Sequence, residues 1–103
     1  MRKAEVYIDK LLAGILIEEP DGRYRFEYEP GYKGYPVSLT MPTTSEVYHF
    51  DTFPAFFDGL LPEGPQLEGL LRQRKIDRSD FMGQLLAVGQ DVVGNVTIKG
   101  ARQ

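Results

Sequence analysis

Arg23-Tyr24-Arg25-Phe26-Glu27-Tyr28-Glu29 alternates without a break. Strand side chains repeat every two residues, so Tyr24, Phe26 and Tyr28 fall on one face and Arg23, Arg25, Glu27 and Glu29 on the other. One apolar and one charged face describe a strand with a wet side, which belongs in an antiparallel sheet. Pro20-Asp21-Gly22 supplies the turn before it: Pro fixes φ, Asp bonds locally and Gly takes positive φ. Pro30-Gly31 ends it. Upstream, Val6 and Ile8, then Ile15 and Ile17, alternate on either side of a break at residues 10–14. This predicts a hairpin with strands near 4–9 and 14–19. Downstream, a loop at residues 32–35 with Gly34 inside leads to a short strand at 37–41, stopped by Pro42, and a weaker strand at 46–50.

The second half changes period. Asp51-Thr52-Phe53-Pro54 reads as a helix start, with Pro54 tolerated in the first turn. Residues 55–61 then form a short helix, broken by Pro62-Glu63-Gly64-Pro65. Leu67, Leu70 and Leu71 stand at i, i+3 and i+4, so residues 66–75 make an amphipathic helix. Ser79 caps a third helix with Asp80 in its first turn. Phe81, Leu85 and Val88, with Met82 and Leu86 beside them, are its buried stripe, and Gly89 ends it in the left-handed conformation. Residues 91–99 return to strand, with Val92, Val96 and Ile98 mostly alternating and Gly94 as a bulge. Strands, then helices, then a closing strand define an α+β domain: a small, partly barrel-like antiparallel sheet with three short helices.

The chain has 103 residues, 12 basic and 15 acidic, for a net charge of −3. This length holds one core, so residues 1–103 are read as a single domain with no room for a two-lobed kinase or a Rossmann dehydrogenase. There is no Cys. That removes disulfides, a thiolate nucleophile and thiolate-ligated zinc, and suits a reducing cytosol. The longest apolar run, residues 11–17, is far short of the roughly 20 residues a spanning helix needs. Glu5, Asp9 and Lys10 interrupt what would be a signal h-region, so the expected place is the cytoplasm and no membrane partner is expected. The start Met and the end just past the closing strand favour a complete gene product.

Candidate chemistry is sparse. His49 is the only His, in a strand-like run without carboxylate partners at metal spacing, and reads as a structural or surface residue. Ser38, Ser45 and Ser79 lack a Gly-x-Ser-x-Gly elbow. Gly64-Pro65-Gln66-Leu67-Glu68-Gly69 has the outer spacing of a P-loop, but Leu70-Leu71 stand where Lys and a hydroxyl are required, and Pro65 removes a cradling N–H. Gly59 and Gly64 read instead as helix-end residues and Gly69 as a close-packing one. Arg72, Arg74, Lys75 and Arg78 form the one basic cluster, read as a solvated helix face rather than a nucleic-acid contact. No catalytic residue, cofactor or metal is assigned. The distinctive stretch is residues 53–64. Phe56 and Leu60, at i and i+4, face the core, and both flanks cannot be buried in so small a domain. A docking surface is therefore expected at residues 57–67: Phe57, Leu61, Pro62, Glu63, Gly64, Pro65, Gln66 and Leu67. Pro62 and Pro65 stiffen it.

Several stretches together resemble the N-terminal domain of HipA-type toxin kinases. They are the opening hairpin from Val6 to Gly14, Tyr24 to Pro30, and Pro36-Val37-Ser38-Leu39-Thr40-Met41-Pro42. The string Phe56-Phe57-Asp58-Gly59-Leu60-Leu61-Pro62-Glu63-Gly64 and the ending Gly89-Gln90-Asp91-Val92-Val93-Gly94 are specific as a pair. In that family a Ser/Thr kinase core follows the domain. None of its ATP-binding or magnesium-binding residues can be located here, so the chain is expected not to be an enzyme. A free-standing copy is similar to the HipS-type antitoxins of three-gene HipBST systems, in which the kinase, HipT, lacks the domain. The resemblance implies a protein that binds and inhibits such a kinase, with a HipB-like DNA-binding protein as a possible third partner and no direct nucleic-acid contact. The other readings are the isolated N-terminal domain of a HipA kinase, with a packing role, and a small nucleic-acid-associated domain. In the antitoxin reading Glu63 meets a cationic phosphate-binding groove. A bulky aromatic after Gly64 would make a plug for the kinase cleft. This chain has Pro65-Gln66 there and no Trp, which leaves Leu61, Pro65, Gln66 and Leu67, or conformational locking, to do that work.

Overall fold

The computed structural model describes residues 1–89 and 95–101. Five strands, β1 (Lys3–Ile8), β2 (Leu11–Glu18), β3 (Tyr24–Tyr28), β4 (Val47–Phe50) and β5 (Val96–Gly100), form one antiparallel sheet in the order β4-β3-β2-β1-β5. Three helices, α1 (Ala55–Asp58), α2 (Gly64–Arg74) and α3 (Phe81–Val88), lie between β4 and β5 in sequence. The α+β class and the closing strand are as expected. The sheet is open, with β4 and β5 as its edges, so the barrel-like character expected of it does not extend to closure.

The alternating strand behaves as its pattern dictates: Tyr24, Phe26 and Tyr28 are buried and Arg25 and Glu27 half-exposed. The hairpin is tighter than expected. Asp9 and Lys10 both take positive φ (50° and 70°), the backbone of a two-residue turn whose twist matches that of the strands. Gly14 therefore lies inside β2, not in the turn. A bulge near it shifts the register, with Val6 opposite Gly14 but Tyr7 opposite Leu12. β2 accordingly gives the core Ala13, Gly14 and Leu16. Ile15 aligns with Glu5 and Glu27, and Ile17 with Lys3 and Arg25, on the opposite face.

Residues 37–41 are not a strand. Val37 and Met41 are buried plugs flanking a turn closed by a single bridge between Ser38 and Met41. The Tyr28 hydroxyl holds both ends, accepting from Val37 N at 2.9 Å and donating to the Met41 carbonyl. A buried phenol with a partner in each direction thus satisfies one backbone N–H and one carbonyl of the turn.

The core lies between the inner sheet face and the helices. Val6, Leu16, Phe26 and Ile98 from the sheet meet Phe57, Met82 and Leu85. Helix α3 departs from its expected pattern in three ways. Asp80, not Ser79, is the N-cap, its carboxylate accepting from Gly83 N at 3.0 Å. Gln84 is buried in the stripe while Phe81 is 39% exposed. Gly89 is right-handed (φ −54°), so its requirement for glycine is not a positive φ. A Cβ there would run into the Ile98 carbonyl oxygen and approach the Ile98 side chain to 2.7 Å. Gly69 is no packing contact, since a Cβ on it meets nothing. The bulge expected at Gly94 and the strand position of Val92 lie outside the described residues, as does the Gln90–Gly94 part of the motif ending there.

Candidate interaction site

Pro54, at φ −62° and ψ 137°, turns the chain from β4 into α1. A four-residue helix offers the core one position per turn, and Phe57 occupies it. Phe57 is fully buried, 5.9 Å from the Phe26 ring and edge-on to Phe56 at 5.1 Å. The reading that placed Phe57 on the docking surface is thus overturned: Phe57 is core, while Phe56, half-buried, packs against that core. Phe53 bridges the two halves of the molecule, with Tyr24 edge-on at 5.2 Å and Phe81 at 5.7 Å.

After α1 the chain continues in turns, Leu60 N donating to Phe57 O and Leu61 N to Asp58 O. Leu61 packs partly against the core. Glu63 is the extended N-cap of α2 without a side-chain cap bond, and Gly64 follows at φ +59°, a conformation that only glycine adopts freely. Pro65 stands in the first turn, where its missing N–H costs no helix bond. Hence α2 begins two residues earlier than its leucine spacing suggests, and Gly64, Pro65, Gln66 and Leu67 are its first turn rather than a loop.

Seven of the eight expected docking residues therefore lie together at the surface. Glu63, Gly64, Pro65 and Gln66 are exposed, and Leu61, Pro62 and Leu67 half-buried. No residue of α2 is buried. Its leucine face, Leu67, Leu70 and Leu71, is only half covered.

Sequence reasoning missed the opposite wall. An open groove of about 470 Å³ runs between this connector and the start of α3, with Leu61, Pro62 and Leu67 on one side and Phe81 and Gln84 on the other. Its wall is built by local polar bonds. Asp77 Oδ1 accepts from Ser79 N at 2.9 Å and Ser79 Oγ at 2.7 Å. The buried Gln84 amide donates from Nε2 to the carbonyls of Asp77 and Arg78 at 3.3 and 3.0 Å. The two Ser79 bonds hold the Asp77 carboxyl below its ordinary value. Arg78, in the lining, is paired with Glu68 of α2. Asp-x-Ser is a legible turn signal, but nothing in the sequence says it returns to face Leu67.

Elsewhere, His49 is exposed on the edge strand β4. The Ser38, Ser45 and Ser79 hydroxyls bond Thr40, the Val47 carbonyl and Asp77, not His49. Among the described residues no three His, Asp or Glu side chains stand where they could hold a metal ion. No helix among them is long and apolar enough to cross a membrane. Arg72, Arg74 and Lys75 are exposed at the C-terminal end of α2.

An open five-stranded antiparallel sheet, one helical layer and an exposed helix connector define a small α+β domain. By sequence, the chain belongs to the HipA N-terminal domain family, which it matches over residues 4–99. It is similar to an uncharacterized protein of Haemophilus influenzae, 33% identical over the whole of this chain and 96% of that one. Among solved structures it resembles an N-terminal domain of HipA toxin, with a TM-score of 0.78 and 29% identity, covering 100% of this chain and 95% of that one. It shares its fold with a chain of the Shewanella oneidensis toxin–antitoxin complex of HipA, HipB and operator DNA, with a TM-score of 0.71 and 20% identity. The match takes in 93% of this chain and 23% of that one. The part matched is the HipA N-terminal domain, not the kinase part.

Proposed function

We propose that this chain is a non-enzymatic, cytoplasmic antitoxin of the HipS kind. Its partner is a HipA-like Ser/Thr kinase (HipT) that lacks this domain, and it holds that kinase inactive. The observation that carries the reading is the connector: Leu61, Pro62, Glu63, Gly64, Pro65, Gln66 and Leu67 are gathered at the surface at the start of a helix that buries no residue of its own. Pro62 and Pro65 stiffen the segment, so little ordering entropy is lost on docking. A HipB-like DNA-binding protein would join through the kinase. The match to 23% of a longer HipA chain favours a second reading, the N-terminal domain of a HipA kinase packed on its own core. The adjoining reading frame separates the two: a separate kinase frame without this domain supports the antitoxin, an in-frame kinase the alternative.

The direct test is calorimetric titration of the purified chain into such a kinase, with autophosphorylation as readout. Binding with loss of phosphorylation is expected. Glu63→Lys with Leu67→Ala should weaken binding by about 2 kcal/mol or more and leave the circular dichroism spectrum unchanged. Leu67 is the better apolar target than Leu61, which also packs on the core. The fully buried Leu85 is the control: Leu85→Ala should cost about 2–5 kcal/mol of folding stability. A wild-type chain that neither binds nor silences the kinase refutes the reading. Full activity in the Glu63 and Leu67 double variant moves the interface to the sheet face of Arg23, Arg25, Glu27 and Glu29.

A further inference from the structure

The groove between the α1–α2 connector and the start of α3 has an apolar floor and an anionic rim. Leu61, Leu67 and Phe81 supply the floor. Asp58, Glu63 and Asp77 stand around it, and among the described residues none of these three carboxylates is in an ion pair. The one cation of the lining, Arg78, is already matched by Glu68. The potential over the groove is therefore negative, and the two Ser79 bonds keep Asp77 ionised. Such a rim repels nucleic acid, nucleotides and acidic peptides, and attracts cations into a cleft whose low-dielectric walls concentrate the field. A small hydrated cation would gain nothing from Leu61, Leu67 and Phe81. A peptide side chain would, and the groove's volume accommodates a residue or two.

From this complementarity we infer that the groove takes a short segment of the partner in which an apolar side chain is flanked by Lys or Arg. The inference rests on the kinase-partner reading and adds the chemistry of the kinase's contact. The apolar residue seats between Leu67 and Phe81 while its basic neighbours reach Glu63 and Asp58 on one bank and Asp77 on the other. The walls are pre-built by Gln84 and by the Asp77–Ser79 turn, so the segment does not have to order them.

The test uses the whole chain, ¹⁵N-labelled, and three capped peptides: Gly-Lys-Leu-Arg-Phe-Lys-Gly, the same peptide with Glu for each basic residue, and the same with Ser for Leu and Phe. The basic apolar peptide should shift the amides of residues 58–67 and 77–84 saturably, and about tenfold more weakly as salt rises from low to high ionic strength. The acidic and the serine peptides should bind at least about tenfold more weakly. Asp58→Asn with Glu63→Gln alters exposed side chains without side-chain bonds of their own, and should weaken the basic peptide by a similar factor with the spectrum otherwise native. No saturable binding, equal binding of the acidic peptide, or shifts confined to another face would overturn the inference. The same Asp58 and Glu63 variant titrated into the kinase separates the two readings. Undiminished kinase binding discards the groove and leaves the antitoxin reading standing. Peptide binding beside a kinase that ignores the wild-type chain does the reverse.

Discussion

At the scale of single residues, glycines here answer to different demands, and the structure tells them apart. Gly14 is inside β2, opposite Val6 and Tyr28. A Cβ there would overlap the Glu27 carbonyl oxygen and come within 2.7 Å of the Phe26 ring. The obstacle is partly backbone and partly a fully buried aromatic ring, neither of which has room to yield. Gly14→Ala should destabilise the domain by about 3 kcal/mol or more, at the upper end of overpacking effects. Gly69, in α2, has open space where a Cβ would go, and alanine is the better helix former by about 0.8–1 kcal/mol. Gly69→Ala should therefore raise the denaturation midpoint. Urea titrations of both variants check the pair, and a Gly14→Ala protein as stable as wild type would show the β2–β3 approach to be looser than described. In sequence both residues are a glycine followed by two apolar residues. Only the partner strand distinguishes them.

Among the elements, α2 is the one whose stability is least tied to the core. Its leucines at 67, 70 and 71 are half-buried and none of its residues is fully covered. Helices draw most of their stability from packing an apolar face, since 11 residues alone are marginal in water. Amides of residues 68–74 should accordingly exchange through local opening at a free energy well below that of β1, β2 and β3, which should report global unfolding. Native-state hydrogen exchange measures this directly, and α2 amides exchanging as slowly as those of β2 would contradict it. Addition of the kinase should raise α2 protection selectively. The leucine spacing disclosed this helix in the sequence, but not how little of it is covered. Amphipathic periodicity says that a face is apolar, and nothing in it says what lies opposite. The same limit explains Phe56 and Phe57: two adjacent phenylalanines in a four-residue helix cannot be assigned to core or surface until the Phe26 ring fixes which one fills the gap.

Across the whole molecule, one ionic tie among the described residues joins the sheet to the helical layer. The Arg2 guanidinium bonds Glu18, at the end of β2, at 2.7 and 2.8 Å, and Asp80, the cap of α3, at 2.7 and 3.2 Å. The Arg2 bond holds the Asp80 carboxyl below its ordinary value of 3.8; burial opposes it, and the Gly83 N–H adds a smaller lowering. A carboxyl lowered on folding adds stability above its unfolded value and loses it as pH falls through the lowered one. Asp80→Asn keeps an acceptor for Gly83 N but not the charge facing Arg2. Its melting temperature should lie below that of wild type at neutral pH, with the gap closing under acid conditions below about pH 4. The groups are partly exposed, so high salt should narrow the gap as well. A gap constant from neutral pH to acid would show the tie to be unimportant.

Period-two alternation at residues 24–28, the leucine spacing of α2, the return to strand at Val96 and Ile98 and the family likeness could all be read from the chain itself. Each depends on local periodicity or on a string of adjacent residues. The turn at residues 37–41, the bulge that puts Ile15 and the still buried Ile17 on the face opposite Leu16, the right-handed Gly89 and the groove wall from Asp77 to Gln84 could not. Each depends on a group outside its own segment: the Tyr28 hydroxyl, the register with β1, the Ile98 carbonyl that leaves no room for a Cβ on Gly89, and the return of the α2–α3 connection to Leu61 and Leu67. The sequence alone thus determined the fold class and the segment that carries the candidate interface. The tertiary structure decided which side of that segment is free, because burial is a property of the space between elements and not of any one of them.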